Sequence, residues 1–347
     1  MTDVSKWACV ARMGGFGDNL IASSVFPGLK KRYGLLEVIG AKPLHVMYEN
    51  NPYIDKLTVM DNGAPPWGNG HDWQRWFHER SKEGYAFFAN LSHSCESLGV
   101  AMKIETKFWW SDAMRRQLMG KSYLELAADI CGIPYDEINP NFYPTDEEKA
   151  QAVETKVKVG PRCVGWVLTG SRIDKVHPQA DVAIARVIRE LNVPVIMFGA
   201  PGKDMEFAKL IQKEVKKLNH SDDGLHLALS PDPENPTWGP RRICAQAQLC
   251  DAVVGPDTGP MWAVAMHAMP KVLMASHAGG NNITEHWINT TTLEADRGRV
   301  PCYPCHRLHD DSSMCTPNVD RNGAACISDI SVEVLVSTVQ QLLQKEQ

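Results

Sequence analysis

Short apolar runs recur along the chain, each followed by a turn and then a stretch with helical spacing. Trp7–Met13 reads as a buried strand, and Gly14-Gly15-Phe16-Gly17 as the turn that ends it. Asp18–Tyr33 then carries Leu20, Ile21, Ser24, Val25 and Leu29 at helical spacing, with Gly34 as the C-cap. Leu44–Tyr48 and Lys56–Met60 read as the second and third strands, and Tyr85–Leu91 as another. Ser122–Cys131 is helical and stops at Gly132-Ile133-Pro134. The aromatic-rich middle (Trp67, Trp73, Trp76, Phe77, Phe108, Trp109, Trp110) has no simple period and is expected to form loops and helices around a cleft.

The second half repeats the pattern more cleanly. Strands are predicted at Cys163–Thr169, Pro194–Phe198, Leu225–Leu229, Asp251–Gly255 and Lys271–Ala275. The helices between them are Pro178–Leu191, Asp204–Leu218, Arg241–Leu249 and Pro260–Ala268. Strands alternating with helices predict α/β domains, each a parallel sheet covered on both faces. In such sheets a ligand lies beyond the carboxyl ends of the strands, near the point where strand order reverses. Two of these domains facing across a cleft would bring both sets of strand-end loops to one substrate. Between Asn139 and Gly160 the composition turns polar, which places a linker there, with Thr145 as the cap of a short helix. The expected organisation is residues 1–150, residues 160–330, and a terminal helix in 331–347 packing back toward the N-terminal domain. That helix, Ser331–Gln344, has Val332, Leu335, Val336, Val339 and Leu342 on one face.

A length of 347 residues suits two domains, and 44% hydrophobic with 22% charged residues is the balance of a soluble globular protein. No apolar run approaches the ~18 residues of a membrane span. The N-terminus lacks signal-peptide regions, so a cytoplasmic chain is expected, with peripheral attachment at the inner membrane left open. The net charge of −5 gives no strong nucleic-acid signal. The pairs Arg115-Arg116 and Arg241-Arg242 are expected on solvated helix faces.

Three segments could carry chemistry. In Gly255-Pro256-Asp257-Thr258-Gly259-Pro260-Met261 an apolar strand runs into a turn and a helix begins at once. Pro260 fits the first helical position, and the N–H groups of Thr258 and Gly259 would point outward as an anion site suited to a diphosphate. The plainer reading is a strand-to-helix turn capped by Asp257 or Thr258. Gly14-Gly15-Phe16-Gly17-Asp18-Asn19 lets backbone approach a ligand, with Gly15, Gly17 and Asn19 as acceptor or loop contacts. Asp18 is there either a helix N-cap or a general base. In Thr169-Gly170-Ser171-Arg172-Ile173-Asp174-Lys175, small residues end a strand and Lys175 could neutralise a leaving diphosphate; otherwise it is a surface loop lysine.

Joined in order, these segments resemble the heptosyltransferase family, bacterial enzymes that move ADP-activated heptose onto lipopolysaccharide core. Gly17-Asp18 with Ile21-Ala22-Ser23-Ser24-Val25-Phe26-Pro27-Gly28-Leu29 looks like the family's opening helix, and Asn51-Pro52-Tyr53-Ile54-Asp55 like a second motif. The Asp257-Thr258-Gly259-Pro260-Met261 turn is the most recognisable. Cys302-Tyr303-Pro304-Cys305, Cys326 and Ile330 before the last helix are also similar.

The resemblance implies GT-B architecture and metal-independent, inverting transfer that needs no cofactor. It implies Asp18 as the base on the acceptor hydroxyl. Lys175, Thr169, Gly170, Ser171 and the Asp257–Met261 turn would hold the diphosphate of a nucleotide sugar, and the acceptor would be lipopolysaccharide or another glycan. Three departures stand out, one of them the aromatic-rich region Trp67–Trp110, where an acceptor would be read. Trp262 occupies a position where the family usually has His, and Leu229–Gly239 has no clear match, so no ribose contact is named. Alternatives are a nucleotide-sugar epimerase on the same scaffold, with Glu285 and His286 as acid/base groups, and a non-catalytic nucleotide-sugar-binding protein, which Trp262 favours.

Six of the ten cysteines (Cys9, Cys95, Cys131, Cys163, Cys244, Cys250) read as small buried residues. Cys302-x-x-Cys305, with Cys315, Cys326, His306 and His309 nearby, has metal-ligand spacing. A structural zinc, reduced thiols and a local disulfide all remain open for this group. In each case it pins a loop and is not expected to be catalytic.

Overall fold

The computed structural model describes residues 5–61, 70–92, 100–101, 103, 105–200, 203–228, 239–307, 315, 317–318 and 323–344. Trp67, His309 and nearly all of Leu229–Gly239 lie outside the described residues. The chain divides into two compact units. The first holds Met1–Leu98 and Lys121–Tyr143; the second holds Gly99–Gly120 and Pro144–Gln347.

The first unit contains β1 (Trp7–Ala11), α1 (Phe16–Ser23), α2 (Phe26–Tyr33), β2 (Leu35–Ala41), β3 (Lys56–Met60), α3 (Gly70–Ser81) and β4 (Phe87–Asn90). After α4 (Asp112–Leu118), which belongs to the second unit, the chain returns to it with α5 (Tyr123–Cys131). All strand pairs are parallel, in the order β3-β2-β1-β4.

Two local readings change here. The predicted helix Asp18–Tyr33 is two helices, because Pro27 has no N–H and must sit in a first turn. Gly34 does end the second one, at φ 80°. The predicted strand Leu44–Tyr48 is a 3-10 turn, and the second strand lies earlier, at β2. Its apolar run was masked by Glu37, which is fully buried. That carboxylate accepts hydrogen bonds from Lys56, Thr58, Arg80 and Tyr85, so its burial is compensated.

The second unit contains α6 (Asp146–Val159), β5 (Val164–Val167), α7 (Ala180–Leu191), β6 (Val195–Phe198), α8 (Lys203–Asn219), β7 (Leu225–Ala228), α9 (Pro240–Ala247), β8 (Ala252–Pro256), α10 (Gly259–Ala263), β9 (Lys271–Met274), α11 (Gly280–Ile283) and β10 (Thr290–Leu293). A short hairpin, β11 (Pro317–Asn318) with β12 (Gly323–Ala324), precedes α12 (Ala325–Ser328) and α13 (Val332–Gln344). The large sheet is parallel, in the order β10-β9-β8-β5-β6-β7.

The polar stretch read as a linker carries a full 14-residue helix, α6, closed by the reciprocal cap of Thr145 and Glu148. It packs on α9, where Arg241 and Glu148 form a paired ion bridge at 2.7 and 2.8 Å. The terminal helix α13 lies on α7. Its Leu335, Val336 and Val339 join the core of the second unit. β10, which is Thr-rich at the sheet edge, had no apolar signal to betray it.

Arg115 and Arg241 correct the expectation of solvated faces: both are buried. Arg115 donates to the carbonyls of Cys305 (2.8 Å), Phe108 (3.2 Å) and Trp110 and pairs with Asp112. It thereby ties segment 99–120 to the cysteine-bearing loop.

Lys271, the first residue of β9, is also fully buried, and its Nζ donates to the carbonyls of His267 and Met269 at 2.6 and 2.8 Å. Burial lowers this ammonium from its ordinary 10.5 to about 8. Below that value the fold bears the full cost of a buried charge. From about 8 up to 10.5 the native amine is neutral while the unfolded one is still charged, so stability rises with pH across the window. Chemical denaturation at pH of about 7.5 and 9.5 should show the wild type gaining on Lys271→Met as pH rises. Parallel curves for the two proteins would contradict this.

Candidate functional site

In the first unit strand order reverses between β1 and β4, because β2 and β3 lie on one side and β4 on the other. The loop after β1 carries Gly14 and Gly15, and Asp18 follows in the first turn of α1, so the predicted glycine turn opens at a switch point. Asp18 accepts the Gly15 N–H on Oδ2 at 2.7 Å and pairs through Oδ1 with Arg12 at 3.0 Å. Arg12 is buried and also donates to the Leu91 carbonyl at 2.7 Å, while the Met13 N–H donates to the Ser92 hydroxyl at 3.0 Å. The β1 and β4 ends are thus laced together under the carboxylate.

Asp18 is thus not the N-cap itself, which is Gly15, but the third residue of α1, reaching back to the Gly15 N–H, and 28% of its side chain is still open to solvent. Gly14 has no room for a side chain: a Cβ there would stand 2.7 Å from Asp18 Oδ2 and 3.0 Å from the Arg12 guanidinium. Asn19 is buried and spends its amide on Leu44 and Tyr48, Nδ2 donating to the Leu44 carbonyl (2.7 Å) and Oδ1 accepting from the Tyr48 hydroxyl (3.1 Å). Gly15 is exposed and Gly17 half-buried.

In the second unit the reversal lies between β5 and β8. The loops after these two strands are Leu168–Lys175 and Asp257–Met261. Lys175 crosses between them, donating to the Asp257 carbonyl at 2.5 Å and to Asp257 Oδ2 at 3.2 Å. Gly170 sits in the angle. A Cβ there would come within 2.6 Å of Lys175 Cδ and 3.1 Å of Thr258 Cγ2. The sequence brought these segments together only through the family resemblance; the structure joins them by direct bonds.

Burial alone would raise the Asp257 carboxyl. The Lys175 ammonium, His277 and the indole N–H of Trp262 outweigh that and hold it below its ordinary value. Trp262 is buried, its Nε1 donates to Asp257 Oδ1 at 2.8 Å, and its ring meets Trp287 edge-on with centroids 4.7 Å apart.

The predicted helix Pro260–Ala268 is only the five residues Gly259–Ala263, so its dipole adds little and the local positive charge is that of Lys175. Thr258 turns its hydroxyl back to the Pro256 carbonyl (3.1 Å) and does not cap the helix. Gly259 and Met261 are buried and Pro260 half-buried. Thr169 gives its hydroxyl to Asp204 Oδ1 at 2.5 Å, and Ser171 is exposed.

Beside this pair lies a polar cluster that sequence reading left without a role. Asp174 is buried and accepts from Arg172 (3.1 Å) and Ser276 (3.1 Å), with His277 Nδ1 at 3.3 Å. Burial pushes its carboxyl up, but His277 and Arg172 pull it further down, so it stays ionised. Burial and the Arg172 charge lower the His277 imidazole despite Asp174, which leaves Arg172 as the counter-cation. Asp174, Ser276 and His277 also border a cavity of about 60 Å³ lined by Cys302, Cys305, Cys315 and Cys326. None of the nine described cysteines, these four included, takes part in a disulfide. Burial pushes Cys305 up to about 11 and Cys315 up to about 12. Among the described residues no group of three or more His, Cys, Asp or Glu side chains is arranged to hold a metal ion. Nor is any helix among them long and apolar enough to cross a membrane.

No protein-family model matches this sequence, and no curated protein does. Solved structures do match in fold. A glycosyl transferase family 9 protein from Veillonella parvula is 16% identical, with 99% of each chain covered and a TM-score of 0.67. The ADP-heptose lipopolysaccharide heptosyltransferase II of E. coli is 13% identical over 98% of this chain and 99% of its own, at a TM-score of 0.61. The iron-containing dodecameric glycosyltransferase TibC of enterotoxigenic E. coli is 11% identical over 98% of this chain and 77% of its own, at 0.58. These likenesses establish the fold class that the sequence resemblance implied, the GT-B type of two parallel α/β sheets.

Proposed function

We propose that this chain is a glycosyltransferase that moves a sugar, with inversion, from a nucleoside-diphosphate donor of the ADP-heptose kind to an acceptor hydroxyl. The observation that carries the reading is the strand-order reversal of the second unit. Its two flanking loops are joined by Lys175 bonding Asp257 and closed over Gly170. A backbone cradle with one lysine at such a point suits a diphosphate, whose charge grows as the sugar leaves. Heptosyltransferase II, of like fold, is described as acting with ADP-heptose. TibC was also solved with ADP-D-β-D-heptose.

Asp18, at the switch point of the first unit, is the base that takes the acceptor proton. Lys175 is the counter-charge for the departing diphosphate, and the transfer step calls on no metal. The acceptor is a glycan, lipopolysaccharide core by family resemblance. The first 150 residues hold 16 Lys and Arg against 19 Asp and Glu, which does not suit a polyanion. The cysteine cavity has no part in the step.

An epimerase would need further acid/base groups at the donor. Glu285 is exposed and neither it nor His286 bonds the Lys175–Asp257 pair. The non-catalytic reading leaned on Trp262, yet that indole supports Asp257 and leaves the cradle intact.

A thermal-shift screen of nucleotides and nucleotide sugars tests the reading, since a ligand that binds only the native state raises the melting temperature. ADP or an ADP-sugar is expected to raise it for the wild type. Gly170→Val, which drives a branched side chain into Lys175 and Thr258, should lose most of the shift. If no diphosphate nucleotide moves the melting temperature of the wild type, the proposal fails.

A further inference from the structure

We propose that Trp262 is a positioning residue of the diphosphate site, acting through Asp257 on Lys175; the inference rests on the function proposed above. Asp257 is a branch point. Its Oδ1 accepts the Trp262 indole N–H at 2.8 Å, while its Oδ2 and its own carbonyl take the Lys175 ammonium at 3.2 and 2.5 Å. These are all the hydrogen bonds of the Asp257 side chain among the described residues. Trp262 and Lys175 therefore compete for, and jointly orient, a single buried carboxylate.

The indole does more than fill space. A phenyl ring could still meet Trp287, but it has no N–H to hold Oδ1 away from the lysine. Without that bond the carboxylate is free to rotate. Oδ1 would then turn toward the Lys175 ammonium that Oδ2 already meets, drawing Lys175 into a two-oxygen ion pair. Bidentate pairing spends the ammonium's donors on Asp257 and withdraws its charge from Gly170 and Thr258, where the diphosphate is proposed to lie. With the indole in place, one carboxylate oxygen is taken and Lys175 keeps a donor for ligand. Trp262 is 1% exposed, so the effect cannot come from direct contact with a bound nucleotide.

Trp287 supplies the matching control. Its ring meets that of Trp262 edge-on, it is buried, and its Nε1 has no hydrogen-bond partner among the described residues. Trp287→Phe thus removes comparable aromatic volume from the same ring pair and breaks no bond to Asp257.

The experiment is calorimetric titration of ADP, and in parallel UDP, into the wild type, Trp262→Phe and Trp287→Phe, each with its melting temperature. Trp262→Phe is expected to weaken the better-bound nucleotide about tenfold, the scale of one hydrogen bond to a charged group. Trp287→Phe should keep wild-type affinity whatever its loss in melting temperature. Unchanged affinity in Trp262→Phe, or an equal loss in both variants, overturns the inference. Should Trp262→Phe not fold, Trp262→His keeps a ring N–H at the same position and is expected to bind within about threefold of wild type. A loss of about tenfold in that variant likewise overturns the inference. A wild type that binds neither nucleotide sinks the proposed function itself, an outcome plainly distinct from tight wild-type binding with an indifferent Trp262.

Discussion

Replacing Asp18 with Asn is expected to cut sugar transfer by about 100- to 10,000-fold, the range for loss of a general base. Donor affinity should stay unchanged. The amide keeps the acceptor oxygen that takes the Gly15 N–H, so the N-terminal cap of α1 survives. What is lost is the negative charge and the ability to take up a proton. An alcohol is a poor nucleophile until its proton is removed, so the effect falls on turnover. All proposed diphosphate contacts lie in the second unit, while Asp18 belongs to the first. Asp18→Ala is a poorer probe, because it also removes the cap and leaves nothing on the Gly15 N–H. Steady-state release of nucleoside diphosphate, paired with calorimetric donor binding, separates the two effects. Equal losses in binding and turnover would mean that Asp18 is only a cap.

The second large effect is at Lys175. Lys175→Ala is expected to lower turnover about 100- to 1,000-fold, the scale of one preorganised electrostatic group at a developing charge. It should also destabilise the protein, because Asp257 would keep its ionised, buried carboxylate without a counter-ion. Breaking a buried pair from one side costs about 3–5 kcal/mol. The double change Lys175→Ala with Asp257→Asn removes that penalty, since a neutral amide can still accept from Trp262. Its melting temperature should therefore recover toward wild type while turnover does not. If turnover returns along with stability, Lys175 has a structural role only.

The α/β class was legible because the strands of the large sheet, except β10, are mostly apolar runs that end near turn residues. Asp257–Met261 stood out for the same reason. Other features were hidden by compensation across space. Glu37 made β2 look polar, and only the distant Lys56, Arg80 and Tyr85 explain why a carboxylate can lie in a central strand. Arg115 looked like surface charge because no pattern in the sequence shows that the nearby carbonyls of Phe108 and Trp110 turn toward it, or that the Cys305 carbonyl arrives from far along the chain. Pro27 was a local signal for the break between α1 and α2, and it was available in the sequence. Arg12 could have been noticed as a cation at the end of an apolar strand, but its partner Asp18 is identifiable only in the folded loop. The role of Trp262 had no signal at all, since its meaning depends on one indole N–H reaching Asp257.

The glycine cradle, the lysine and the carboxylate at the two switch points add up to one claim, that this chain breaks a nucleotide–sugar bond. Release of nucleoside diphosphate from ADP-heptose and related nucleotide sugars, followed in wild type and Asp18→Asn under identical conditions, addresses it. The account predicts release by the wild type and a loss of at least about 100-fold in the variant, with donor still bound. No release from any nucleotide sugar, or equal rates in the two proteins, would contradict it.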